Sequence, residues 1–271
     1  MTKKEYAEAV IKAGNFEGRV VEVKKDNTGI LTGCAIRTSK NKNMGFTFYI
    51  DNDYTAGTSV EDCANQIKKI YDKQIESGED EIMDKLTQKV KDFDAIKDDI
   101  YIKILNRKLN ENDETQVSRV CPFADGLIEV LWLDLNEDYS VRINSDMIKM
   151  WKKTEDEMFD IALKNLKKQE YVFETLEEHI SAMVGKKVDG ESPLYVVTNK
   201  ENHKGANMVL VAMDDIKTMF PEGFYLIPNS IHEFMVCSKN AMPKELLQEM
   251  LNIVNYDLPT SEFLSDTIYE F

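Results

Sequence analysis

The chain has 271 residues, with 34 Lys and Arg against 49 Asp and Glu and a formal charge of −15. Apolar residues make up 42% and charged residues 31%, a globular composition rather than a disordered or fibrous one. The longest unbroken apolar run, Met208 to Met213, is far below the roughly 18–20 residues of a membrane span.

The opening MTKKEYAEAVIKAG reads as an amphipathic helix and lacks the apolar core and cleavage site of a signal peptide. A cytoplasmic location is expected. The four cysteines, Cys34, Cys63, Cys121 and Cys237, form no CxxC pair, so zinc-ribbon and thioredoxin-like sites are not implied. Buried, reduced thiols are expected. The second half of the chain is the more acidic, which repels phosphate backbones and disfavours nucleic acid as a partner.

In chain order, residues 2–13 predict a helix ended by Gly14 and Asn15. RVVEVKK and ILTGCAIRT predict two strands across an Asp26–Gly29 turn. A polar loop, Ser39 to Asn43, leads to a third strand, GFTFYID. Thr58–Glu61 reads as a capping box for a helix to about Ser77, and a second helix runs from Glu79 to about Val90. The stretch from Phe93 to Lys97 suggests a boundary between two lobes, residues 1–96 and 97–271.

DIYIKILN predicts a strand, followed by a short helix near Asp113 to Val120. LIEVLWLDL and YSVRIN predict strands joined at Asn136–Asp138. Helices are expected from a Ser145 cap to Trp151, from a Thr154–Glu157 capping box to Lys168, and from Thr175 to Gly185 with Leu176, Ile180 and Met183 inward. PLYVVTN and NMVLVAM read as strands, then a helix begins at Asp214. FYLIP and EFMVC are strands around Asn229–Ser230. Pro243 opens a final helix with a Leu246, Leu247, Met250, Leu251 and Val254 stripe, and Thr260 begins a short tail helix. The fold class is α+β, with mixed or antiparallel sheets and flanking helices.

Chemistry is sparse. Of three histidines, His203 falls in a polar loop, and His179 falls on a helix, one turn before Met183, as a residue at the boundary of its buried face. His232, in IPNSIHEFMV, is the candidate catalytic or ligand-contacting residue, with Ser230 before it and Glu233 after it. Strand geometry places His232 and Glu233 on opposite faces. A zincin HExxH fails because the second His position is Val236. Without a GxSxG elbow, a Ser–His–acid triad is unsupported. The alternative role for His232 is a turn pinned by side-chain hydrogen bonds. Asp51–Asn52–Asp53 faintly echoes a calcium loop, but Ala56 stands where glycine is needed, and a strand-end turn is the simpler reading. Asp214–Asp215 fits a helix N-terminus. No cofactor and no metal are implied.

The segments VEVKKDNTGILTGCAIR, FYIDNDYTAGTSVEDCANQIKKIY, WKKTEDEMFDIALKN, PLYVVTNKENHKGANMVL, FYLIPNSIHEF and LSDTIY occur in this order. In this they resemble a Firmicute family catalogued as domain of unknown function 5688, met in gut bacteria and their mobile elements. The resemblance covers nearly the whole chain. FYLIPNSIHEF is its sharpest segment, although the family usually has a second Ser where this chain has Asn229. The resemblance implies a cytosolic accessory protein and supplies no catalytic residues.

Three functions follow as expectations. The first is a non-enzymatic protein-binding role, with a partner that presents a basic surface. The second is a hydrolase using His232 with a nearby acid. The third is an acidic anti-defence or DNA-mimic factor, set against the four lysines among nine acids in ESGEDEIMDKLTQKVKDFDAIKDD.

Overall fold

A computed structural model describes residues 1–38, 45–111, 117–201 and 203–271. The predicted Ser39–Asn43 loop lies outside them. Two compact units, Met1–Asp92 and Phe93–Phe271, each carry their own core. Among the described residues the strands form three antiparallel sheets, and with the flanking helices the fold is α+β.

In the first unit, helix α1 (Lys3–Ala13) starts at a Thr2–Glu5 capping box and ends at Gly14, with Asn15 left-handed. Strands β1 (Gly18–Lys24), β2 (Ile30–Arg37) and β3 (Gly45–Tyr49) follow, with β2 central. Tyr6, Ala7 and Val10 of α1 share a core with Cys34 and Ile36 of β2. Next come α2 (Asp51–Ala56), α3 (Val60–Glu76) and α4 (Glu79–Lys91).

Asp51–Asp53 is therefore the first turn of a helix and not a strand-end turn. Asp51 accepts from Lys3 Nζ at 2.6 Å and from the Thr32 N–H at 2.9 Å, which ties three elements together. The cap of α3 is Ser59, accepting from the Asp62 N–H, rather than Thr58. The Thr58 carbonyl instead accepts from the Tyr6 hydroxyl.

The second unit begins with the short helix α5 (Phe93–Ile96) and strands β4 (Ile100–Asn106), β5 (Ser118–Cys121), β6 (Ala124–Asp134) and β7 (Ser140–Arg142). β6 pairs with β4, β5 and β7. The predicted helix at 113–120 is corrected here. Residues 113–116 lie outside the described ones, and Ser118–Cys121 is a strand because Ser118, Arg119 and Val120 pair with Val130, Glu129 and Ile128. Helix α6 (Ser145–Trp151) is capped by Asn144, not Ser145. Helix α7 (Glu155–Leu166) starts at the Thr154–Glu157 capping box and packs on β4.

Strand β8 (Tyr171–Thr175), unforeseen, precedes α8 (Leu176–Val184). Next come β9 (Leu194–Asn199), α9 (Val209–Met219), β10 (Phe224–Ser230), β11 (Glu233–Ser238), α10 (Lys244–Asp257) and the terminal β12 (Tyr269–Glu270). The sheet order is β12-β10-β11-β9-β8. Phe224, Leu226, Phe234 and Val236 enter one core, shared with α9. The alternate residues Tyr225, Ile227, Met235 and Cys237 enter a second core, shared with α8 and α10. Burial on both faces is why FYLI and FMVC read as continuous apolar runs.

NMVLVAM is not a strand. Gly205–Met208 forms a 3₁₀ turn and Val209 opens α9, burying Val209, Ala212 and Ile216 at helical spacing. Asp214 and Asp215 therefore sit mid-helix, where Asp215 accepts from the Tyr171 hydroxyl. On α8, His179 is buried while Met183 and Val184 are exposed, so the inward face is not the one its stripe suggested. All four thiols are free and buried, and burial pushes Cys34 up to about 12.

A buried ion pair marks the β5–β6 ladder. Glu129 is fully buried, Arg119 Nε donates to its Oε2 at 2.8 Å, and its Oε1 has no hydrogen bond. The Arg119 guanidinium also lies 4.3 Å from the Phe159 ring centroid. Burial pushes the Glu129 carboxyl above its ordinary value, and the pairing with Arg119 opposes this only in part. The folded state therefore holds this proton to higher pH than the unfolded chain does. Its contribution to stability falls as pH rises from the ordinary glutamate range through the raised value. Urea titrations across that window are expected to show this slope in the native protein and lose it in Glu129→Gln. Arg119→Ala, which strands the buried carboxylate, is expected to cost about 3–5 kcal/mol at neutral pH.

Candidate functional site

The segment FYLIPNSIHEF forms the β10–β11 hairpin. Its register shifts between Ile227 and Ser230, and Pro228, which has no N–H for a ladder, sits in that irregularity. Ser230 then pairs with Glu233, leaving Ile231 and His232 as the turn.

Three separate segments hold that turn. Ile231 N–H donates to the Glu262 carbonyl at 2.9 Å, and Ala206 N–H donates to the Ile231 carbonyl at 3.2 Å. The Thr198 hydroxyl donates to the His232 carbonyl at 2.8 Å, and Lys204 N–H donates to His232 Nδ1 at 2.9 Å. The Ser230 hydroxyl oxygen accepts from the His232 N–H at 3.1 Å. Gly205 permits this approach: a Cβ there would lie 2.3 Å from Thr198 Oγ1 and 2.9 Å from the His232 carbonyl oxygen. Lys204 just before it is left-handed, with φ of 55°.

These bonds fix what the His232 ring can do. With Nδ1 accepting from Lys204, a neutral ring carries its proton on Nε2, which lies 3.6 Å from a Glu262 carboxylate oxygen. No ring lone pair remains to take a proton from a substrate. The His203 ring lies 5.1 Å away, centroid to centroid. Burial, followed by the charge of Lys204, holds His203 below its ordinary value. Asn199 clasps His203 by its backbone, donating to the carbonyl and accepting from the N–H.

The three candidate residues are thus dispersed. Ser230 bonds to the backbone of His232, not to its ring. Glu233 accepts from Asn229 Nδ2 at 2.6 Å and turns toward a different histidine. The acid near His232 is Glu262.

That other histidine is His179, which the sequence suggests as a residue at the boundary of its helix's buried face. It is buried, with Nδ1 at 2.9 Å from Glu174 and Nε2 at 3.8 Å from Glu233. The imidazole therefore bonds α8 to β8, while its buried Nε2 faces Glu233 of β11 without a hydrogen bond. Its spacing of three from Leu176 on the apolar stripe was the available signal.

Beside the His232 turn lies a cleft of about 850 Å³, lined among others by Asp98, Asp134, His203, Lys204 and Asn207. Protein packed on one side of the rim residue Asp134 pushes its carboxyl above the ordinary range. Its hydrogen bond with Tyr101 and the charges of Lys204 and Lys103 oppose this.

Elsewhere, α10 buries Leu247 and Leu251, but Leu246, Met250, Ile253 and Val254 keep between 37% and 70% of their surface exposed.

Two substitutions separate these roles. His179→Ala removes the group between two carboxylates and is expected to cost about 1–3 kcal/mol by chemical denaturation. His232→Ala is expected to cost no more than about 1.5 kcal/mol, with faster hydrogen exchange confined to Asn199, residues 203–206 and the turn.

Comparison with curated proteins and with solved structures found no match to the chain. A family model matches residues 3–271, nearly the full length. The chain belongs to the family of unknown function DUF5688.

Proposed function

We propose that this chain is a non-enzymatic, cytoplasmic accessory protein that binds another protein through the uncovered side of α10. The observation that carries this reading is the width of the helix's apolar arc. Leu247 and Leu251 satisfy the packing against the sheet, yet Leu246, Met250, Ile253 and Val254 continue the arc into solvent. An exposed apolar strip of this kind marks an interaction surface.

Charge narrows the partner. Glu245, Glu249 and Asp257 are exposed on the same helix, in a chain of formal charge −15. A second copy would bring like charges together around the strip. A partner with apolar side chains bordered by Lys and Arg would complement it. The hydrolase reading has Glu262 as the acid for His232, and it requires Lys204 N–H to leave Nδ1 before that nitrogen can accept a proton. The DNA-mimic reading gains no support from α4, where Lys85 and Lys91 are exposed among the acids.

Affinity capture from host lysate, read by mass spectrometry, tests the reading. One basic protein is expected at near-stoichiometric yield with the native chain and with His232→Ala. It is expected to disappear with Ile253→Asp and to weaken with Glu249→Lys and in about 0.5 M salt, where exposed charges are screened. Equal capture by Ile253→Asp would remove α10 from the account. No capture by any version would remove the binding role.

A further inference from the structure

The cleft beside the His232 turn is built independently of α10. The start of β4, the end of β6, the end of α7, the end of β9 and the loop before Gly205 meet there. Its volume of about 850 Å³ falls within the range of about 300–1,000 Å³ typical of small-molecule sites. The His232 turn has a purpose in this setting: it anchors Lys204, and Asn199 clasps His203, so the loop that forms one wall is fixed at both points.

Two buried amides line the cleft, and they differ. Asn165 donates to the carbonyls of Lys97 and Ile100, and its Oδ1 accepts from Lys168 Nζ at 3.3 Å. Asn207, only 8% exposed, donates to the Ile102 carbonyl at 2.7 Å, while its buried Oδ1 has no hydrogen bond. An acceptor left over in a buried wall calls for a donor.

The charges agree with that demand. Asp98, Asp99, Asp134, Glu137 and Glu201 line the cleft against two lysines, of which Lys168 is already paired with Asp98 at 3.0 Å. The excess of carboxylates favours a cation. Among the described residues no three His, Cys, Asp or Glu side chains are grouped so as to hold a metal ion. Spread carboxylates and an unmatched amide acceptor suit a cation whose charges are also spread and which carries N–H donors. We propose that this cleft binds a small aliphatic polyamine, with its ammonium groups on the rim carboxylates and an N–H directed to Asn207.

Isothermal titration of the full chain with putrescine and with spermidine tests this, with magnesium chloride at matched ionic strength as the comparison. One-site binding of a polyamine is expected, at least about tenfold weaker in Asp134→Asn and in Asn207→Ala. It is expected to be unchanged in Glu249→Gln on α10 and not reproduced by magnesium. Asp134→Asn is isosteric; should it fail to fold, Glu137→Gln on the exposed turn is read in its place. Absence of binding overturns the proposal. So does a multi-site isotherm that weakens equally in Glu249→Gln and Asp134→Asn, which would be surface condensation of counterions. Loss of binding here leaves the role of α10 standing, since the two surfaces share no residue.

Discussion

Ile231 and His232 leave the β-ladder at a place where chain packs from several sides, and every backbone group exposed there needs a partner. The second unit answers with bonds from β9, from the loop ahead of the 3₁₀ turn, from that turn itself and from the segment at 260–262. They come from three parts of the sequence, β9, residues 204–206 and the segment at 260–262, so closing the hairpin also fixes their positions. Gly205 is the steric condition for this, because no side chain fits between Thr198 and the His232 carbonyl. The imidazole of His232 works within the same network as an acceptor held in one tautomer. That occupation separates it from a catalytic base more firmly than its distance from any acid does.

Antiparallel elements with a local pattern were legible in the sequence. The β1–β2 hairpin, the alternation in β4 and the Thr154 capping box depend on neighbours a few residues apart. Where pairing is long-range, the pattern misled. Val209 to Met213 carries β-branched and apolar residues that suit a strand as well as a buried helix. Only the burial of Ile216 in register with Val209 and Ala212 decides for the helix. β12 is two residues long and is defined by its pairing with Tyr225 and Leu226. Ser118–Cys121 carries a polar surface and becomes a strand because β6 offers it an edge.

The candidate site was legible only as a segment. FYLIPNSIHEF stood out, yet Glu233 follows His232 in sequence and leaves on the opposite face. There it meets His179, which lies in a helix 54 residues earlier. Nothing local pairs those two residues. Glu262 is 30 residues from His232 in the chain, and Asn207 gains significance only from an oxygen left unbonded after folding. Sites assembled from several loops share this property: residue types are visible in the sequence, and their convergence is not.

The segment at 260–265 relates the two surfaces of the second unit. The Glu262 carbonyl accepts from Ile231 in the His232 turn. The Leu264 carbonyl accepts from Asn106 at 2.7 Å, and the Ser265 carbonyl from Asn255 of α10 at 3.0 Å. Gln248 of α10 adds a bond to the Asp266 carbonyl at 2.7 Å. One short stretch of backbone therefore joins α10 to the turn that anchors the cleft wall. Because these are bonds to main-chain carbonyls, side-chain substitutions within the stretch leave them in place. A change in α10 that moves Asn255 or Gln248 does not. Asn255→Ala removes the bond to Ser265 and leaves the Gln248 bond to Asp266 in place.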